Sequence, residues 1–214
     1  MDETLPRYAA TAFVTLIVVV DPLGMVPIFA AVAAGQERPA RMATLRRAIA
    51  IALGLALLFM AAGRAMLAYL GVTVHAFAIS GGILLFASAL PMLFGQRGGL
   101  QAPELRERDA AGLDVAIFPL AVPLLSGPGV LTSVLLLTSQ AGGAVARLLL
   151  LAACLVVVFL VAWLVLWLGD RALAWVGQAG VHLATRVMGI ILAALAVQYV
   201  LNGVSGYYHS LAGA

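Results

Sequence analysis

The sequence predicts an all-α, polytopic membrane protein: six transmembrane helices arranged as two inverted three-helix repeats, with helices 1 and 4 discontinuous at the membrane midplane. Three observations predict it. The chain is 64% hydrophobic and 10% charged, whereas a soluble domain is about half apolar and about a quarter charged. Its 214 residues hold apolar runs of roughly the 20 residues that cross a bilayer, about six of them. Two of these runs, in corresponding positions of the two halves, are broken by proline and glycine.

The first span covers residues 8–34 and contains Asp21-Pro22-Leu23-Gly24, followed by Pro27. Each proline removes a backbone donor and crowds the preceding turn. A carboxylate at bilayer depth costs about 2.5–3.5 kcal/mol on insertion scales. A segment that only had to span the membrane would contain neither, so the break reads as a site. The leader, Met1-Asp2-Glu3-Thr4, is acidic and lacks the basic start of a signal peptide. The first apolar run is therefore read as a retained span.

A basic loop with Arg38 and Arg41 precedes span 2, residues 48–70, which contains Gly54 and Gly63 as small packing residues. A turn at residues 71–75 leads into span 3, residues 76–94, with Ser80-Gly81-Gly82. Residues 95–113 mix charge with glycine and form the one strong boundary, a solvated cytoplasmic linker. It separates a first repeat, 1–94, from a second, 114–214, within one membrane domain.

Span 4, residues 114–140, carries Pro119, Pro123 and the second break, Ser126-Gly127-Pro128-Gly129. Span 5, residues 147–168, is almost purely aliphatic. A loop is expected over residues 169–186. Span 6, residues 187–207, contains Gly189, Gln198 and Asn202 and ends in Tyr207 and Tyr208, an interfacial aromatic belt.

All twelve basic residues are arginine, which excludes lysine-based covalent chemistry. With six spans, nine arginines fall on the side of the linker and only Arg7, Arg64 and Arg147 on the other. Positive residues stay cytoplasmic, so both termini are expected outside. Because the arginines sit at span ends, the net charge of +3 does not describe a nucleic-acid surface. Cys154 is the single cysteine and reads as a small buried hydrophobe. The sequence has no nucleophile–base constellation, metal-ligand cluster or glycine-rich phosphate loop, so it is not read as an enzyme and no cofactor is expected.

The halves repeat. Asp21-Pro22 and Gly127-Pro128 are 106 residues apart, and Gly82 and Gly189 are 107 apart. Three spans per half put the halves in opposite orientations, the inverted repeat of many secondary transporters, whose sites lie at midplane between broken helices. Asp21 can cap a half-helix that starts at Pro22, and Ser126 or Gly127 one that starts at Pro128. Each such N-terminus offers free N–H groups and about half a positive charge, a fit for a small anionic group. With Asp21 beside it, the site suits a zwitterion, or an anion with a coupling cation. The substrate-contact candidates are Asp21, Pro22, Gly24, Ser126, Gly127, Pro128, Gly129, Thr132, Gln198 and Asn202, with Asp21 also the candidate for a coupling Na+ or H+. Gln198 and Asn202, one turn apart on span 6, read equally well as interhelical hydrogen-bonding groups.

Four motifs then carry a resemblance. Residues 21–29 (Asp-Pro-Leu-Gly-Met-Val-Pro-Ile-Phe), 80–86 (Ser-Gly-Gly-Ile-Leu-Leu-Phe), 118–129 (from Phe-Pro-Leu to Ser-Gly-Pro-Gly) and 196–199 (Ala-Val-Gln-Tyr) resemble the MarC family of bacterial inner-membrane proteins, in order and over nearly the whole chain. The resemblance implies a secondary transporter of small neutral amino acids, of the glycine and alanine class, with ion coupling. An exporter or channel for small metabolites or ions with the same architecture is the alternative. The family's motifs fall on Asp21, Pro22, Gly24 and Pro27, on Pro119, Pro123, Gly127, Pro128 and Gly129, and on Gln198. Near Pro91, where relatives often carry an acidic or polar residue, this chain has Ala89-Leu90-Pro91-Met92, so no role rests on such an acid here. The implied partners are membrane lipid, a small zwitterion and, as an open expectation, further copies of the chain in a homo-oligomer.

Overall fold

The computed structural model describes residues 4–94 and 116–212. The 95–113 linker lies outside the described residues. Within them the fold is all-helical, with seven α-helices, one π-wound segment and no strand.

Helix α1 (Leu5–Val20) is followed after one residue by α2 (Pro22–Val32). Helix α3 runs Arg38–Tyr69 and α4 runs Val74–Phe94. The π-wound segment, α5, is Ala116–Leu125, and α6 is Pro128–Gln140. Helix α7 is Val145–Trp167 and α8 is Gly169–Ala212. Among the described residues, five stretches are long and apolar enough to cross a membrane: Leu5–Val32, Arg38–Tyr69, Val74–Phe94, Val145–Trp167 and His182–Ala212. The interval from Ala116 to Gln140 is divided at Ser126-Gly127 into two pieces, each shorter than a crossing.

The winding of α5 follows from its sequence. Pro119 and Pro123 supply no N–H, and the Ser126 N–H reaches five residues back, to Ala121 O at 2.9 Å. That is the π pattern, common as a local widening inside helices.

Two expected loops are helical. The basic segment before span 2 opens α3 at Arg38, because Pro39 sits in the first turn, where its missing N–H is harmless. Residues 169–186 are the start of α8 rather than a loop. No proline interrupts them, and alanine, leucine, glutamine and arginine all favour helix.

Helices α4 and α8 form the most extensive pair and run antiparallel. The seam is a stripe of alternating three- and four-residue steps on each helix. His75, Gly82, Ala89 and Met92 on α4 meet Gly206, Gly203, Tyr199, Ala196 and Gly189 on α8, with Ala78, Leu85 and Leu192 buried at the intervening stripe positions. Close contact depends on the glycines: a Cβ on Gly82 would stand 2.7 Å from Ala196 O, and one on Gly203 2.8 Å from His75 O. Small residues allow this approach where helix association depends on van der Waals packing. Other pairs are α1 with α7, α3 with α5, α6 and α7, α6 with α4 and α1, and α2 with α7 and α8, with lesser contacts of α1 and α7 with α8 and of α6 with α7. The core between them is built from Tyr8, Leu16, Phe29, Leu45, Leu120, Leu155 and Phe159, all essentially buried.

Candidate functional site

Asp21 is the one non-glycine residue with positive φ among the described residues, at φ 44, ψ 65. Asparagine and aspartate adopt this conformation most readily, because a short polar side chain can bond locally. Here the Asp21 N–H donates to Ile17 O at 3.1 Å and closes α1, while its Oδ1 accepts from the Gly24 N–H at 3.2 Å and opens α2. One residue thus ends one helix and caps the next, and Pro22, at the first position of α2, has no N–H to satisfy. Asp21 is only 7% exposed. Gly24 makes room for it: a Cβ there would overlap the carboxylate and stand 3.1 Å from Met92 Cε.

The second break is built differently. Gly127, not Ser126, is the cap residue of α6, and no side chain caps that helix. Ser126 instead donates to Ala52 O on α3 at 2.8 Å. Gly129, in the first turn of α6, is buried against α4 and α1; a Cβ on it would stand 2.6 Å from Leu85 Cδ1 and 3.1 Å from Val19 Cγ1. Leu85 and Met92 lie on one stripe of α4, seven residues and so roughly 10 Å apart. Helix α4 therefore lies along both breaks, touching the start of α6 through Leu85 and the Asp21 turn through Met92.

One turn further along α6, Thr132 and Ser133 are fully buried. Ser133 Oγ donates to Gly129 O at 2.8 Å and shares a 2.6 Å hydrogen bond with the Tyr199 hydroxyl of α8. Thr132 packs on Gly81 of α4, where a Cβ would overlap the threonine side chain. Its Oγ1 has no hydrogen-bond partner among the described residues, unusual for a buried hydroxyl.

The structure thus sets the Asp21–Gly24 turn, Gly129 and Thr132 along α4, with Ser133 bonded to α8. Pro22 is buried beside Asp21, whereas Pro128 is exposed at the start of α6. Gln198 and Asn202 are exposed on α8, with Gln198 Nε2 donating to Asn202 Oδ1 at 2.7 Å. Sequence reasoning did not single out Leu85, Met92 or Tyr199. Two of the three are plain apolar residues; only the heptad stripe shared with Gly82 could have marked them.

The sequence profile of the MarC family integral membrane proteins matches residues 7–208. The chain belongs to the MarC family. Among curated relatives, this MarC protein is 36% identical over 202 residues to the UPF0056 inner membrane protein YhgN of Escherichia coli, covering 91% of this chain and 94% of that one. It is 32% identical over 208 residues to a UPF0056 membrane protein of Pyrococcus abyssi, covering 97% and 99%. A UPF0056 membrane protein of Archaeoglobus fulgidus is 34% identical over 197 residues, with 91% of each chain covered. No solved structure matches. As a MarC protein, the chain is a multi-pass integral membrane protein.

Proposed function

We propose that this MarC protein is a secondary transporter of small neutral amino acids, with substrate held at the bilayer midplane where the broken spans 1 and 4 meet. The observation that carries the reading is Asp21: a buried carboxylate in left-handed backbone at a one-residue gap between two helices of a single membrane span. Ionisable groups at membrane depth are rare and mark transport paths. In secondary transporters, half-helix N-termini receive a substrate carboxylate while freed carbonyls and helix C-terminal ends hold the coupling cation. Asp21 joins both kinds of helix end. Pro22 provides no N–H for the fourth carbonyl back, that of Val18. Gly24 and Gly129 let the Asp21 carboxylate, Met92, Leu85 and Val19 close in around the two breaks, and a guest the size of glycine or alanine is what the family resemblance supplies. Buried Thr132, one turn beyond Gly129 on α6, offers a hydroxyl without a partner among the described residues, and Pro22, Ser126 and Pro128 stand at the two breaks. Na+ or H+ is the coupling ion in this reading, and Asp21 its contact.

The architecture proposed with it is two inverted three-span repeats, span 1 being α1 with α2 and span 4 being α5 with α6. The packing supports this. Helix α1 lies on α7 as α5 lies on α3; α2 meets α8 as α6 meets α4; and α4 and α8 meet each other. An exchange of halves maps these pairs onto one another, the α1–α6 pair excepted. The protein then sits in the inner membrane with both termini outside, as the arginine distribution indicates.

The test is uptake of labelled glycine and alanine into proteoliposomes under imposed Na+ or H+ gradients. Saturable uptake that follows one gradient, and is lost in Asp21→Asn while the variant folds and inserts, is the expected result. Undiminished uptake by that variant overturns the role of Asp21. Flux that neither saturates nor follows a gradient marks a channel instead.

A further inference from the structure

Gln198 and Asn202 stand near the middle of the span His182–Ala212, and both side chains are exposed. At about 100° per residue, Gln198 lies roughly 200° around α8 from Ala196, which is buried in the seam with α4. In a membrane this outer face meets acyl chains, which can neither donate nor accept a hydrogen bond. The bond the structure gives the two amides is to each other, 2.7 Å from Gln198 Nε2 to Asn202 Oδ1. Gln198 Oε1 and both Asn202 Nδ2 hydrogens are left over, acceptors and donors together.

The face around them is built for close approach. Ala194, Gln198, Asn202 and Ser205 follow one another at four-, four- and three-residue steps and all are exposed. They form a small-and-polar strip within an otherwise aliphatic outer surface of Ile190, Val197, Leu201 and Val204. Small residues let membrane helices touch, and amides bond across such contacts.

We propose that this strip is the interface of a homodimer in which α8 packs against α8 of a second copy. The occupant is identified by the chemistry: a strip with surplus donors and surplus acceptors is complementary to itself. Copies inserted in the same orientation are related by a two-fold axis along the membrane normal, so each residue faces its own counterpart. Gln198 and Asn202 of both copies then form a four-amide cluster at mid-bilayer. This inference rests on α8 alone and is independent of the transport reading.

Disulfide trapping in liposomes tests it. On a Cys154→Ala background, Ser205→Cys and Ala194→Cys form covalent dimers on mild oxidation, while Leu160→Cys on the outer face of α7 does not. In the same vesicles, single-molecule photobleaching finds wild-type protein in pairs. Gln198→Leu combined with Asn202→Leu weakens pairing at least tenfold and leaves the thermal melt of the monomer unchanged. Wild-type protein that is monomeric in vesicles overturns the proposal, whether lipid, water or another protein then faces the amides. So does undiminished pairing in the double leucine variant, or equal trapping at Leu160→Cys. The trapping arm uses single substitutions at exposed sites and stands without the double variant.

Discussion

The hydroxyls of Ser133 and Tyr199 lie 2.6 Å apart, joining the helix that begins at Pro128 to α8. Both groups are buried, and Ser133 also bonds Gly129 O within its own helix. Tyr199→Phe therefore removes an interhelical bond without stranding Ser133. Within membranes such bonds average about 0.6 kcal/mol, and the variant should lose roughly that much stability in a detergent unfolding titration. Ser133→Ala should cost about 1 kcal/mol, because the tyrosine hydroxyl is then left without this partner.

Asp21 has two separable jobs. Asparagine keeps the acceptor for the Gly24 N–H and the tolerance of left-handed backbone, so Asp21→Asn should melt close to wild type. Alanine keeps neither. Losing the cap costs about 1 kcal/mol, and the backbone conformation about 1–2 kcal/mol more. Thermal unfolding should therefore rank wild type and Asp21→Asn together, with Asp21→Ala well below. On the transport reading, uptake is lost in both variants.

Glycine substitutions should divide by location. Gly24→Ala drives a methyl into the Asp21 carboxylate and should destabilise by about 1–3 kcal/mol, the usual range for overpacking. Gly54 is exposed on α3, and a Cβ added there would meet nothing within 4 Å. Gly54→Ala should therefore be neutral or stabilising by up to about 1 kcal/mol. Parallel melts of the two variants check the contrast.

Gly81 and Thr132 should be coupled. A methyl on Gly81 overlaps the threonine side chain, so Gly81→Ala should cost about 1–3 kcal/mol. Thr132→Ala removes Oγ1 and Cγ2, two of the three overlapping atoms, and discards a hydroxyl that has no partner among the described residues. A double-mutant cycle should find the Gly81→Ala penalty smaller in that background, by about 0.5–3 kcal/mol. Independent, additive penalties would mean that the α4–α6 contact is not as described.

Much of the local chemistry is legible in the chain. Asp21-Pro22 reads as a cap followed by a first-turn proline wherever it occurs, because the missing N–H and the carboxylate acceptor belong to those residues themselves. Gly127 before Pro128 is similar, although two neighbours could have served as the cap. Ser126 turns instead to Ala52 O, 74 positions away in sequence, and no local rule reaches that far. Residues 169–186 look like a loop on polarity alone, yet their propensities and lack of proline favour the helix they form.

What the sequence determined by itself is that the chain is a membrane protein of helical spans, and that the first of them stops and restarts at Asp21. Hydrophobicity, proline geometry and capping act within a few residues and need no partner. What only the tertiary structure decided is which faces meet: that Leu85 and Met92 of α4 border both breaks, that Tyr199 finds Ser133, and that Gln198 and Asn202 look outward from α8. A helix presents every direction around its axis, and the side that is buried depends on close approach at glycines such as Gly82 and Gly203, contacts between segments more than a hundred residues apart.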